Sequence, residues 1–247
     1  MHSPTRPRRQ VVSFVRRSAR MNESQQRAWQ RHAAEWVVEV EQHETSTSVA
    51  EQPPLDLGTL FGRTAPLLVE IGSGTGDSLV PMAAARPDWN VLAFEVFQPA
   101  VASTLGKLAA AGVGNVRLLM HDAVGGLTHL LTPASVDEVW TFFPDPWHKT
   151  RHHKRRLVSP EFAGLVASRL TDTGTWRLAT DWDDYAEWMR EVLDVAPGLV
   201  NVHAGDGGWA PRFADRPVTR FESRGLAAGR TIRDLTYRRA ESGTATP

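Results

Sequence analysis

The chain has 247 residues, 41% of them hydrophobic and 23% charged, with 28 Lys and Arg set against 28 Asp and Glu and no cysteine. That length suits one α/β domain with tails, and no apolar run approaches the ~20 residues needed to cross a bilayer, which argues against a membrane role. The lack of cysteine excludes disulfides, thiolate metal sites and cysteine nucleophiles and fits a cytoplasmic protein, while the zero net charge hides an uneven distribution along the chain.

The start is basic. Arg6, Arg8, Arg9, Arg16, Arg17 and Arg20 occur with no acid among them, and no apolar segment follows as in a secretory signal. A flexible basic arm is the expectation, with an organellar transit peptide as the lesser reading. A helix is predicted over 24–41, where Trp29, Ala33, Trp36 and Val40 recur at three- and four-residue spacing. Arm and helix make up 1–60, the main domain is expected over 61–240, and the small polar residues of 241–247 read as a disordered tail.

Strands are predicted at 67–71, 90–96, 116–121, 136–143 and 175–180, with helices at 77–86, 99–111, 160–170 and 183–195. Such alternation implies right-handed crossovers and an α/β fold with a doubly wound, mostly parallel sheet flanked by helices. Two further β-like runs, 199–203 and 231–238, are placed as a hairpin on the far side of the sheet.

The first strand runs into LLVEIGSGTG, where Gly72, Gly74 and Gly76 permit a tight turn and close backbone approach to a ligand. Glu95 ends the second strand about 20 residues on, the place for an acid that accepts from ribose hydroxyls. Asp122 closes the third strand, and Glu70 just precedes the glycines. Acids at successive strand ends suit a cationic sulfonium better than a pyrophosphate. The third glycine also comes one residue too early for the dinucleotide fingerprint, which disfavours a nicotinamide-dependent dehydrogenase.

After the fourth strand comes TFFPDPWHKTRHHKRR. Pro144 and Pro146 restrict the backbone on both sides of Asp145 and fix its carboxylate at the strand end. Five Lys or Arg residues follow within eight positions, interleaved with His148, His152 and His153. A basic run at the lip of a ligand crevice points to phosphate contact more than to a solvated face. No acidic partner or helical His spacing supports a metal. From composition alone, 216–222 reads as a loop.

EIGSGTG from Glu70, PDPWHKTRHHKRR from Pro144, ATDW from Ala179 and RPVTRFESRG from Arg216, in that order, make the chain resemble the bacterial tRNA (guanine-N7-)-methyltransferases. The similarity runs over roughly 13–239, includes SFVRR from Ser13 as a basic arm, and leaves a polar insertion at 45–54 unmatched. It implies a Rossmann-like methyltransferase sheet and methyl transfer from S-adenosylmethionine to N7 of a guanosine in the tRNA variable loop, with no obligate protein partner. It further implies Glu70 at the methionine end of the cofactor, Glu95 at the ribose and Asp122 near the adenine. Asp145 becomes the active-site acid, also beside the cofactor, and Lys149, Asp181, Thr219, Arg220, Phe221 and Glu222 become substrate contacts. Arg151, His152, His153, Lys154, Arg155 and Arg156 are expected to touch RNA. The alternatives are a methyltransferase acting on another RNA, a protein or a small molecule, and a catalytically silent RNA-binding module.

Overall fold

The computed structural model describes residues 20–43 and 45–240; the basic arm at 13–17 and the tail beyond 240 lie outside these. Helix α1 (Glu23–Trp36) opens with a capping box, in which the Asn22 side chain accepts from Gln25 N and the Gln25 side chain accepts from Asn22 N, both at 2.9 Å. α2 (Leu57–Phe61) follows, and then strands and helices alternate: β1 (Leu67–Ile71), α3 (Leu79–Ala84), β2 (Asn90–Phe94), α4 (Gln98–Ala111), β3 (Val116–Leu119), α5 (Ala123–His129) and β4 (Val136–Phe142). A short 3-10 turn (Thr150–Arg155) leads to α6 (Pro160–Arg169), β5 (Leu170–Thr180), α7 (Asp183–Asp194), β6 (Leu199–Asn201), α8 (Arg220–Ala227) and β7 (Arg233–Arg239).

The seven strands lie in the order β3-β2-β1-β4-β5-β7-β6, with β1 to β5 parallel and β7 antiparallel to both of its neighbours. The two late strands pair as expected, but β7 inserts between β5 and β6 and a long excursion carrying α8 separates them in sequence. Winding reverses between β1 and β4, so a crevice opens beyond their C-terminal ends, the place where open α/β sheets take ligands. The glycine turn leaves β1 there, and the Pro-Asp-Pro turn leaves β4.

Side chains alternate across the sheet, as a period of two requires. Leu67, Val69 and Ile71 face the core shared with α5, α6 and α7, whereas Leu68 faces the core under α1, α3 and α4. Helix α1 is therefore part of the body rather than an appendage. Its Trp36 is buried and donates to Val113 O at 3.1 Å, and Gln25 donates to Pro99 O and Ser103 Oγ on α4. It ends at Trp36, short of the predicted position 41, because the chain turns extended to reach β3, where Val38 N donates to Leu118 O at 2.9 Å. The unmatched insertion packs as well: Val49 joins the core and Thr47 O accepts from Asp122 N at 2.7 Å.

Candidate functional site

At the glycine turn, Gly72, Gly74 and Gly76 have φ of 78°, 56° and 75°. A Cβ on Gly72 or Gly74 would meet nothing within 4 Å, so the backbone there borders open space into which a ligand fits. At Gly76 a Cβ would lie 2.8 Å from the Thr104 side chain, so this glycine serves the packing of the turn on α4. Glu95 braces the same turn: one carboxylate oxygen accepts from Gly74 N at 2.8 Å and the other from Phe97 N at 2.9 Å. Val96 N also donates to this carboxylate, and of its roughly four lone-pair positions the three N–H donors leave one for a ribose hydroxyl. Burial raises the Glu95 pKa against the pull of backbone N–H donors, and the Asp145 charge raises it further.

Glu70 is only 3% exposed, and its Oε2 has no partner. Burial, together with the charge of Glu95, pushes its pKa up to about 8. Ser73 Oγ is likewise buried and unpartnered. Buried polar atoms are rarely left unsatisfied, and two of the four found among the described residues meet at this turn. A lone carboxyl and a free hydroxyl beside an open glycine cradle match a ligand that carries cationic and polar groups, as S-adenosylmethionine does. Asp122 stands at the end of β3, where one of its oxygens caps α5 by accepting from Val124 N at 2.9 Å. His121 beside it carries no motif that marks it in the sequence; it is buried, kept neutral by desolvation, and its Nδ1 has no partner.

Asp145 projects from the β4 turn as an exposed side chain. Phe143 and Trp147, on either side of the Pro-Asp-Pro segment, adopt φ of 53° and 48°. Such left-handed non-glycine residues cost about 1–3 kcal/mol each and persist only where the surroundings hold them. Here Phe143 N donates to Ala179 O at 2.7 Å and Arg156 Nε to Pro146 O at 3.0 Å. Arg156 thereby departs from its expected role. It is 3% exposed, ion-paired with Asp184 and laid over the Tyr185 ring at 4.9 Å, a buried brace that RNA does not reach. Lys149, Arg151, Lys154 and Arg155 remain exposed, with Arg155 stacked on Trp147 at 5.0 Å. Partial desolvation and the cations around it hold the His152 pKa down.

The remaining predicted contacts divide. Asp181, just past β5, is buried and accepts from Arg230 at 2.7 Å. Thr219 accepts from Glu222 N at 3.2 Å and so caps α8; of the stretch read as a loop, 216–219 is irregular and 220–222 is the first turn of this helix. Glu222 is a correction to the set of substrate contacts. It is fully buried and receives Arg212 at 2.8 Å and Arg216 at 3.4 Å; burial alone would raise its pKa, but the two arginines hold it below the usual range. Arg216, itself 1% exposed, also binds Asp234 on β7 at 2.5 Å and lies over the rings of Phe142 and Phe143 at 5.1 and 5.4 Å. These buried pairs fasten α8 beside the Pro-Asp-Pro turn and leave Phe221 52% exposed, 5.3 Å from the Phe143 ring. Arg220 is exposed at the start of α8. Among the described residues, no group of three His, Asp or Glu could hold a metal, and no helix is long and apolar enough to cross a membrane.

A family model described as a putative methyltransferase matches residues 64–235. The tRNA (guanine-N(7)-)-methyltransferase of Cutibacterium acnes is 59% identical over 97% of this chain and 87% of its own length. The enzyme of the same name from Nocardioides sp. is 53% identical over 94% of this chain and 88% of its own length. Among solved structures, a mutant of the 16S rRNA (adenine(1408)-N(1))-methyltransferase from Catenulisporales acidiphilia superposes with a TM-score of 0.51 at 12% identity, covering 80% of this chain and 96% of that one, a likeness of fold. With identity sustained over nearly the whole length of such relatives, the chain belongs to the tRNA (guanine-N(7)-)-methyltransferase family.

Proposed function

We propose that this chain, an S-adenosylmethionine-dependent tRNA (guanine-N(7)-)-methyltransferase, uses Asp145 as its active-site acid and takes the variable-loop guanosine as its target. The reading is carried by two acids at the C-terminal ends of neighbouring parallel strands: Glu70, buried and unpartnered near the end of β1, and Asp145, exposed in the turn that leaves β4. S-adenosylmethionine supplies a methyl group on a cationic sulfur.

Guanine N7 bears an in-plane lone pair and no proton, so the chain needs no general base. It needs alignment, which contributes as much as ~7–11 kcal/mol in favourable cases. The glycine turn, Glu70 and Glu95 hold one reactant, while Asp145 orients the purine through its N–H edge and opposes the positive charge that the ring acquires. The constrained backbone on both sides of Asp145 serves this directly, because a carboxylate whose main chain is set before the reaction has less reorganisation left to do. Lys149, Arg151, Lys154 and Arg155 hold phosphates and set the register of the RNA. Since cofactor and substrate elements lie on one chain, we infer that it acts without an obligate protein partner, and the absence of cysteine is in keeping with a cytoplasmic location.

The target is tested with two unmodified tRNA transcripts that differ only in the variable-loop guanosine. Methyl uptake by the parent transcript and none by an adenosine-substituted one is the expected outcome. Equal uptake by both moves the target elsewhere in the tRNA.

A further inference from the structure

Six arginines lie between positions 212 and 233. Arg212, Arg216, Arg230 and Arg233 each pair with an acid: Glu222, Glu222 and Asp234, Asp181, and Asp183 respectively. Among the described residues Arg220 and Arg224 form no ion pair, and both are exposed on α8. At 3.6 residues per turn, Glu222 and Gly225 define the inward face and Arg220, Ser223, Arg224 and Ala227 the outward one. The single acid of the helix is buried, so the only charges on the outer face are positive.

This face is firmly mounted. Glu222 is held by Arg212 and Arg216, and Gly225 lies so close to Asp181 that an added Cβ would stand 3.0 Å from its carboxylate. It also borders the crevice. Phe221 touches Phe143 on the N-terminal side of the Asp145 turn, and Arg220 is near enough to Asp77, beyond the glycines, that its charge assists Lys107 in lowering that carboxyl's pKa against desolvation. The 149–155 run, by contrast, leaves the turn at Trp147 and is anchored to α7 through Arg156 and Asp184.

We propose that the outer face of α8, through Arg220 and Arg224, is a second phosphate-binding surface that grips the tRNA beside the Asp145 turn, on an element separate from the 149–155 run. The inference rests on the tRNA reading above. Two separated phosphate contacts fix the orientation of an RNA as one patch cannot, and neither needs to read sequence.

Arg224→Glu tests it, since this side chain is exposed and, among the described residues, forms no ion pair. Equilibrium binding of an unmodified tRNA transcript is measured across a salt series, with S-adenosylmethionine affinity as the control for folding. We expect the tRNA Kd to rise about tenfold, the slope of log Kd against log salt to flatten by about one, and cofactor affinity to stay at the wild-type value. Arg224→Lys, which keeps the charge, retains the wild-type slope. An unchanged Kd and slope in Arg224→Glu, or an equal loss in Arg224→Lys, overturns the α8 surface alone. Failure of the wild-type chain to bind tRNA overturns this proposal and the reading beneath it together.

Discussion

On the cofactor side of the crevice, Glu70, the three glycines and Glu95 come from one strand-turn-helix-strand unit, and their contacts, such as Gly74 N to Glu95, are made within it. On the side we assign to the substrate, Asp145, Asp181, Arg216, Glu222 and Asp234 arrive from well-separated segments; Arg216 joins Glu222 to Asp234 in the interior, Arg230 pairs with Asp181, and Asp145 stands exposed. The first half is encoded by neighbours in sequence and the second by partners that meet only once the sheet has closed. The two halves should therefore fail in different ways.

The largest effect belongs to the ion-pair cluster. Arg216→Ala leaves Glu222 and Asp234 buried without their shared cation, and breaking a buried pair from one side costs about 3–5 kcal/mol. Urea unfolding should show a loss of that size, with tRNA methylation falling far more than cofactor affinity in the protein that remains folded. A loss below about 1 kcal/mol would mean that α8 is held by other contacts.

Gly76→Ala attacks the other half. Its Cβ would sit 2.8 Å from Thr104 at a φ of 75°, so the turn must shift. Strain of about 1–3 kcal/mol corresponds to a loss of cofactor affinity of about 5- to 150-fold by calorimetry, and Thr104→Ala should restore part of it. Full affinity in Gly76→Ala would show that the turn tolerates a side chain there.

Glu70 sharpens the comparison through pH. Its folded pKa is raised from 4.5 to about 8, so the folded state binds the extra proton and ligand-free stability must fall as pH rises through that window. A cationic ligand favours the ionised form, so cofactor affinity should rise with pH and level off above about 8, with proton release on binding at neutral pH. Glu70→Gln should flatten both profiles. Unchanged profiles in that variant would place the titrating group elsewhere.

The smallest effects lie on the exposed run. Lys154→Ala and Arg155→Ala should each raise the tRNA KM a few-fold and flatten its salt slope by about one, with the melting temperature unchanged. Arg156→Ala, in the same run, should instead lower stability, because its guanidinium is buried on Asp184 and Tyr185.

The same division explains what the sequence made legible. β1 falls at the predicted residues because a short apolar run ending in glycines has one local interpretation. Helix α5 is not legible, because Gly125 and Gly126 read as breakers. It forms because Asp122 caps it and because a Cβ at position 126 would stand 2.1 Å from the Phe94 ring, so glycine is required there by packing. Helix α8 does leave a local signal, the T-x-x-E spacing of Thr219 and Glu222 that marks a helix start. The inward direction of Glu222 has none, since its partners are fixed only by the loop that β7 closes. Arg156 is indistinguishable from Arg155 by composition, and only its meeting with α7 separates a brace from an RNA contact.

The most direct test of the account is methyl transfer from labelled S-adenosylmethionine to unmodified tRNA, followed by nucleoside analysis, for the wild-type chain and for Asp145→Asn. The account predicts label in 7-methylguanosine with the wild type and a drop of about 100-fold or more in Asp145→Asn, with cofactor affinity and melting temperature preserved. Label in any other nucleoside, or wild-type rates from Asp145→Asn, would contradict it.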